Sequence, residues 1–180
     1  PFIDKGLKLS ELTLATIRAA HARIQPHIHR TPVLKSSILN RQLGAEIFFK
    51  CENLQKVGAF KARGACNAVM SLTDEQARRG VITHSSGNHG AALAWAAGLR
   101  GIKATIVVPN NAPRPKKFAI EAYGATIVYC EPNVAAREAA VEKLIAEQDL
   151  ELVHPFNDYR VMNGQGTAAL ELLEEVPDLD

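Results

Sequence analysis

The sequence predicts an α/β fold in which helices cover a parallel β-sheet. Short apolar runs alternate with alanine-rich or amphipathic stretches of about ten residues, which is the pattern of βαβ units. The runs at 104–108 and 125–130 are apolar at nearly every position, as expected for parallel strands that are covered on both faces. Four closely spaced strands between residues 81 and 153 therefore predict one compact parallel-sheet subdomain.

The individual helices and strands are placed by three signals: the spacing of apolar residues, helix-capping residues, and glycines that end helices. The first helix repeats apolar residues at Leu14, Ile17 and Ile24, with Ser10 in position to cap it and Thr31-Pro32 beyond its end. The predicted helices span residues 10–27, 60–72, 88–99, 116–123, 134–147 and 166–175. The predicted strands span residues 46–51, 81–84, 104–108, 125–130 and 151–153.

Composition and charge exclude several classes of protein. The chain has 180 residues, is 47% hydrophobic and 22% charged, and carries a net charge of +2, which is too small to indicate a nucleic-acid partner. No apolar run approaches the roughly 18 residues of a membrane span, and the first ten residues lack the layout of a secretory signal. Three widely spaced cysteines form no Cys-x-x-Cys pair. These features predict a protein of the reducing cytoplasm with no membrane partner.

The first candidate for chemistry is Lys61, which lies in GAFKARGA at the start of a predicted helix. A lysine acts as a nucleophile only as the neutral amine, so its pKa must fall through burial or neighbouring positive charge. Lys56 and Arg63 are near enough in sequence to supply that charge. An ordinary surface lysine at a helix end is the competing interpretation, and this segment alone does not decide between them.

The second candidate is THSSGNHG at residues 83–90, between an apolar strand and an alanine-rich helix. The free N–H groups and the positive dipole at a helix N-terminus attract a carboxylate or phosphate, and Gly87 and Gly90 would permit close approach. Ser and Asn also favour simple helix capping, so an anion site and an ordinary helix start both stay open.

Other patterns are predicted to be structural. GQGTAA at residues 164–169 fits G-x-G-x-x-A, but no convincing strand precedes it and no acidic residue follows at the required distance, so it is not taken as a dinucleotide site. The pair His27 and His29, and the pair His84 and His89, are assigned to turns and loops rather than to metal ligands. No metal site is predicted within the chain.

Taken together, the motifs resemble the fold-type II pyridoxal-phosphate enzymes. Within that family they are most similar to the group of serine racemases and threonine dehydratases. The resemblance rests on GAFKARGA and SSGNHG, and extends through HRTPVLKSSILN, AYGATIVYCEP and GQGTAALELLEEV. It implies a complete small domain at residues 80–157 and part of a large domain at residues 1–79 and 158–180. The chain is accordingly expected to be an N-terminal portion whose phosphate-binding glycine loop lies further on.

The resemblance also assigns roles to residues. Lys61 would hold pyridoxal phosphate as a Schiff base and remove the substrate Cα proton, with Phe60 beside the cofactor ring and Asn88 bonded to its 3′-oxygen. Ser86 would be the acid and base on the opposite face. The residues expected to bind the substrate, a small amino acid such as serine or threonine, are Ser85, Ser86, Asn88, His89 and Arg137.

The serine at position 86 favours one activity within the group. Threonine dehydratases usually have SAGNH, whereas this chain has SSGNH, the racemase-like form, and racemisation needs a proton donor and acceptor on both faces of Cα. The resemblance thus implies a serine racemase that also dehydrates L-serine and L-threonine. The alternatives are a threonine dehydratase proper and a non-catalytic truncated fragment that acts as an interaction module.

Regulation and assembly are implied in the same way. Animal-type racemases bind ATP at a subunit interface and respond to Mg²⁺ or Ca²⁺, whose ligands would lie outside this chain. A homodimer, or a complementing C-terminal portion, is the expected partner. The positions that match the ATP site are Ser36, Ser37, Ile38, Lys56, Lys116 and Tyr123.

Overall fold

The computed structural model describes residues 12–85 and 87–179. Its helices are α1 (Leu14–Ile24), α2 (Ser37–Leu43), α3 (Lys61–Met70), α4 (Asp74–Arg79), α5 (Asn88–Leu99), α6 (Arg114–Ala122), α7 (Val134–Gln148) and α8 (Tyr159–Glu175). Its strands are β1 (Val33–Lys35), β2 (Phe48–Lys50), β3 (Val81–His84), β4 (Ala104–Pro109), β5 (Thr126–Cys130) and β6 (Glu151–Leu152). Two single turns of 3-10 helix, Glu52–Leu54 and Lys56–Gly58, lead into α3.

The central feature is a four-stranded sheet in the order β5-β4-β3-β6, with every pair parallel. Val81 lies opposite both Ala104 of β4 and Glu151 of β6, so β3 is an interior strand. A separate antiparallel pair joins β1 to β2, with Leu34 opposite Phe49. The predicted α/β class and the predicted four-stranded parallel sheet are both confirmed.

Alternate residues of the sheet enter two apolar cores. Val81 and Ile106 face α3, α5 and α6, while Ile82 and Val107 face α7 and pack near Val141. This alternation follows from the two-residue period of a strand, whose successive side chains point to opposite faces. Both faces are covered, which explains why these strands are apolar at consecutive positions rather than at every second one.

Helix α3 connects this sheet to a second group of helices, α1 and α8. Glycines permit the close crossing of α3 and α8: a Cβ added at Gly164 would lie 2.5 Å from the carbonyl oxygen of Arg63 and 2.6 Å from the Cα of Gly64. The G-x-G-x-x-A pattern therefore lies within α8 and serves helix packing. It begins five residues into the helix and does not form the turn between a strand and a helix that a dinucleotide site requires.

The predicted start of the last helix is wrong. It begins at Tyr159 rather than at residue 166, and Asp158 caps it by accepting a hydrogen bond from the backbone N–H of Arg160. Gly164, Gly166 and Val161 have low helix propensity, but packing against α3 and α1 overrides that preference. The start of the first helix is also wrong, since Thr13 caps it; Ser10 lies outside the described residues.

Three short elements were not predicted: β1, α2 and α4. Ser36 caps α2 by accepting from the backbone N–H of Leu39, and Gly44 ends that helix in the left-handed conformation. Thr73 and Gln76 form a reciprocal capping box on α4. These helices have only one or two turns, which is too short for an apolar repeat to show in the sequence. Their cap residues were the sequence feature that could have predicted them. Within the described residues, no helix has the length and apolar character needed to cross a bilayer.

Candidate active site

The candidate site lies at the carboxyl end of the parallel sheet, where neighbouring strands β3 and β6 finish. Ser85 and Gly87 follow β3, and residues 153–157 follow β6. Lys61, the first residue of α3, reaches the same edge because its Nζ donates to the carbonyl oxygen of Pro155 at 2.7 Å. Crevices at the carboxyl ends of strands are the usual ligand sites of open α/β sheets.

The Lys61 amine is half-buried, and desolvation lowers its pKa from the ordinary value of 10.5. A lower pKa increases the fraction of neutral amine, which is the form that attacks a carbonyl or accepts a proton. Burial, rather than the charges of Lys56 and Arg63, is the cause that acts on this pKa among the described residues.

Arg63 has a different role, because its guanidinium is fully buried between two carboxylates. It donates to both oxygens of Glu52 and both oxygens of Glu171, each at 2.8 Å. Lys50 also pairs with Glu171, at 2.9 Å. This network fastens the first turn of α3, and so the backbone of Lys61, to α8 and to the segment after β2. Sequence reasoning noticed Arg63 but missed its partners, which are far away along the chain.

The predicted anion-binding loop is placed as expected, between β3 and α5. Gly87 is the cap residue of α5, and its N–H donates to the Ser85 hydroxyl at 3.2 Å. Among the described residues, the N–H groups of Asn88 and His89, in the first turn of α5, have no acceptor, and donors of this kind bind anions. Asn88 is exposed. Ser86 lies outside the described residues.

Gly90 explains how the loop sits so close to the strand. A Cβ at this position would meet the Ser85 carbonyl oxygen at 2.8 Å and the Ile106 side chain at 3.1 Å. Any larger residue would push α5 away from β3 and β4. The glycine thus sets the distance between the helix N-terminus and the sheet edge, which fixes where an anion would be held.

The imidazole of His89 points into the protein rather than towards the loop. It is only 3% exposed, and its Nε2 lies 3.3 Å from the carbonyl oxygen of Val153. Burial lowers the pKa of His89 to about 4, outweighing the opposing effect of this hydrogen bond. A neutral ring beside a carbonyl carries its proton on Nε2, so His89 donates to Val153.

Two more residues, His154 and Arg137, lie near this edge of the sheet. His154 was not predicted as a site residue. Its ring packs edge-on to His84, with centroids 5.5 Å apart, and burial lowers the pKa of both rings. Arg137, near the start of α7, acts electrostatically on His84, so the predicted residue lies near the site. His154 comes just after β6, the strand beside β3. This position directly after a strand of the sheet was the sequence feature that could have identified it as a site residue.

Exposed aromatic rings flank the lysine. Phe60 is 44% exposed, with the Lys61 Nζ 5.3 Å from its ring centroid, and Phe156 is 67% exposed and packs edge-on against His154. Exposed rings beside the amine offer flat apolar surface against which another planar ring can stack. An amine of lowered pKa, aromatic surfaces and an anion-binding helix N-terminus together suit a planar aromatic aldehyde that carries an acidic group.

The residues predicted to bind ATP occupy three separate places. Ser36, Ser37 and the exposed Ile38 begin α2, and Lys56 lies in a 3-10 turn. Lys116 is on α6, and Tyr123 follows it. Within the described residues, no hydrogen bond or ion pair joins these groups to one another. The same part of the chain contains no cluster of three His, Cys, Asp or Glu side chains able to hold a metal ion.

These features define an α/β protein with a desolvated lysine amine at the carboxyl edge of its parallel sheet, and comparison with known proteins gives its family. Residues 24–180 match the family described as "Pyridoxal-phosphate dependent enzyme". The chain belongs to this family, and its architecture is that of the fold-type II members.

Similar proteins include racemases and a dehydratase. The chain is 51% identical to serine racemase from Dictyostelium discoideum over 96% of its length and 53% of that protein. It is 53% identical to beta-hydroxyaspartate dehydratase from Paracoccus denitrificans over 93% of its length and 53% of that protein. Maize serine racemase aligns with a TM-score of 0.92 and 48% identity, covering 94% of this chain and 52% of that one. The chain therefore spans about half the length of the relatives that it matches.

Proposed function

We propose that this chain supplies the lysine and the anion-binding loop of a pyridoxal-phosphate-dependent serine racemase with L-serine and L-threonine dehydratase activity. The observation that carries the proposal is the half-buried Lys61 amine at the sheet edge, 2.7 Å from the Pro155 carbonyl and close to the N-terminus of α5. Relatives named serine racemase, at about half identity over nearly the whole chain, support the reaction and the substrate class.

The residues at this edge fit pyridoxal phosphate. The Lys61 amine would hold its aldehyde carbon, the exposed Phe60 ring would pack beside the pyridine, and Asn88 would bond the 3′-oxygen. When bound, the cofactor withdraws electrons from the substrate and so makes its Cα proton acidic. The protein's own contribution is to orient the amino acid and to move that proton.

Proton transfer requires a group on each face of Cα. Lys61 Nζ takes or returns the proton on one face, and desolvation favours the neutral amine that this step needs. Ser86 is proposed to serve the other face. Loss of the β-hydroxyl as water after the same proton removal gives the dehydratase activity, so dehydration needs only the Lys61 face, whereas racemisation needs both faces.

The substrate carboxylate is proposed to bind the loop after β3. Its partners are the N–H groups of Asn88 and His89 and the hydroxyl groups of Ser85 and Ser86, where the helix dipole also favours negative charge. For His89 the contact is through the backbone, since its neutral buried imidazole lacks a proton to offer a carboxylate. Arg137 lines the substrate side of the cleft.

The test is reduction of the full-length protein with borohydride, followed by peptide mapping. We expect a reduced pyridoxyl group on Lys61 and on no other lysine, with Lys56 in a neighbouring peptide as the internal control. An unlabelled Lys61 in protein that carries the cofactor would overturn the proposal. Comparing D-serine formation with 2-oxobutyrate formation from L-threonine then separates a racemase from a threonine dehydratase proper.

The proposal also covers how the protein divides into domains, where it is located in the cell and how it is regulated. Residues 80–157 are proposed to move as a small domain against residues 1–79 and 158–180 of a large one. Cytoplasmic location, a homodimer, ATP binding through the six residues named above and Mg²⁺ or Ca²⁺ as an effector are also carried forward as predictions. Titration of the full-length protein with ATP, followed by dehydratase rate, tests the regulatory part.

A further inference from the structure

The segment after β6, residues 153–157, is anchored to three different parts of the protein. The N–H of Val153 donates to the Ile82 carbonyl at 2.9 Å, which continues the sheet pairing with β3. The carbonyl of Val153 accepts from His89 Nε2 at 3.3 Å, and the carbonyl of Pro155 accepts from Lys61 Nζ at 2.7 Å. We call residues 153–157 the strap, because they join α5 to the lysine of α3.

The strap also fixes its own turn. His154 Nδ1 accepts from the backbone N–H of Asn157 at 2.9 Å and from that of Phe156 at 3.4 Å. These bonds hold the backbone on either side of Pro155, so the Pro155 carbonyl has little freedom to turn. Its position is therefore determined by the anchors of the strap rather than by Lys61 alone.

His89 is the side-chain anchor on the α5 side, and its chemistry excludes the role of a carboxylate ligand. Its ring is buried and neutral, and Nε2 has its proton committed to Val153. The other nitrogen, Nδ1, is a buried acceptor without a partner among the described residues. A hydrogen-bond acceptor repels a carboxylate, so the imidazole can influence the site only through Val153, the strap residue to which it donates.

We propose that His89 is a positioning residue: by donating to Val153 it sets the strap, and the strap holds and partly desolvates the Lys61 amine through the Pro155 carbonyl. The inference deepens the proposed function, on which it rests for the importance of Lys61. Among the described residues, His89 on α5 and His154 on the strap are titratable groups that interact electrostatically with Lys61.

The consequence of losing this anchor has a definite sign. A released strap lets water reach Lys61, and water replaces the lost carbonyl as hydrogen-bond acceptor. The effect of exchanging one hydrogen bond for another on the pKa of Lys61 nearly cancels. The desolvation that lowers this pKa, by contrast, is reduced. The pKa of Lys61 therefore rises towards its ordinary value.

The test compares His89→Gln with His89→Asn. The glutamine amide nitrogen reaches about as far as Nε2 and can donate to Val153, whereas the asparagine amide stops near the position of Nδ1. The readout is the pH midpoint for acetylation of Lys61 by acetic anhydride in the full-length protein freed of cofactor, followed by peptide mass spectrometry. Other lysines in the same digest are the reference.

We expect His89→Asn to raise the midpoint by at least about half a pH unit, and His89→Gln to stay near the wild-type value. Val141→Ala controls for general destabilisation, since Val141 is buried on the opposite face of the sheet and should not move the midpoint. Equal midpoints for the Asn variant and wild type, or equal shifts for both His89 variants, would overturn the inference. Borohydride labelling of Lys61 is independent of this result, so failure of the positioning role and failure of the proposed function remain distinguishable.

Discussion

The Lys61 Nζ donates a 2.7 Å hydrogen bond to the carbonyl oxygen of Pro155, a residue 94 positions further along the chain. This contact brings the start of α3 to the end of β6 and places an amine of lowered pKa at the carboxyl edge of the sheet. The proposed activity depends on this contact between two segments that are far apart in the chain.

Replacing Lys61 with Arg should abolish both activities. Arginine keeps the positive charge and much of the length, but its guanidinium stays protonated and can neither hold an aldehyde nor accept the Cα proton. We expect D-serine and pyruvate formation from L-serine to fall by at least about 10³-fold. A thermal melt checks that the fold is kept. Activity above one tenth of wild type would contradict the role of Lys61.

Replacing Ser86 with Ala should separate the two reactions. Removing the acid and base on one face should lower D-serine formation by about 10²-fold or more, while dehydration of L-serine needs only the Lys61 face and persists. Both products are measured in the same sample, so each reaction controls for the other. A parallel loss of both products would contradict an opposite-face role for Ser86.

Replacing Glu171 with Gln should destabilise the protein strongly. Glu171 is buried, and its charge balances the buried side chains of Arg63 and Lys50. Breaking such a network from one side costs about 3–5 kcal/mol of unfolding free energy. Glu174→Gln is the matched control, since its half-exposed pair with Arg30 should be worth less than about 1 kcal/mol. Urea unfolding measures both, and equal losses would contradict the network's role.

The same carboxylate predicts a pH dependence. Burial by itself raises the pKa of Glu171, but hydrogen bonds from Arg63 and Lys50 more than offset this and lower it from 4.5 to about 2. Its stabilising contribution is therefore present above pH 4.5 and is lost as pH falls towards about 2. The difference in unfolding free energy between wild type and Glu171→Gln should shrink over that range. A difference independent of pH would contradict the assignment.

Replacing Gly164 with Ala should disrupt the crossing of α3 and α8. The new Cβ would meet backbone atoms of Arg63 and Gly64 at 2.5 and 2.6 Å, and backbone cannot move aside cheaply. We expect a loss of about 1–3 kcal/mol or more. Gly98→Ala is the control, because its nearest neighbour is 3.9 Å away and alanine favours a helix by up to about 1 kcal/mol. Thermal melts that rank the two variants the other way would contradict this packing.

Sequence patterns predicted those helices and strands whose own residues form a clear apolar or alanine-rich pattern. The apolar runs at 104–108 and 125–130 and the alanine-rich helix at 88–99 are close to the observed elements. The boundaries of α1 and α8 were wrong because tertiary packing and cap residues decide them: Thr13 replaces Ser10 as the cap, and Asp158 starts α8 seven residues early. Local motifs marked Lys61 and the loop after β3 as candidates without deciding their roles, and the resemblance supplied the roles that they are predicted to have.

The sequence by itself determined the α/β class and the parallel sheet, and it marked Lys61 and the loop after β3 as candidates, because each of these signals lies within a few consecutive residues. Tertiary structure alone decided what surrounds them. It buried Arg63 between Glu52 and Glu171 instead of beside the lysine, turned His89 inward to Val153, and placed Pro155 against Lys61. The physical reason is that desolvation and hydrogen-bond partners depend on segments far apart in the chain, which the fold alone brings into contact.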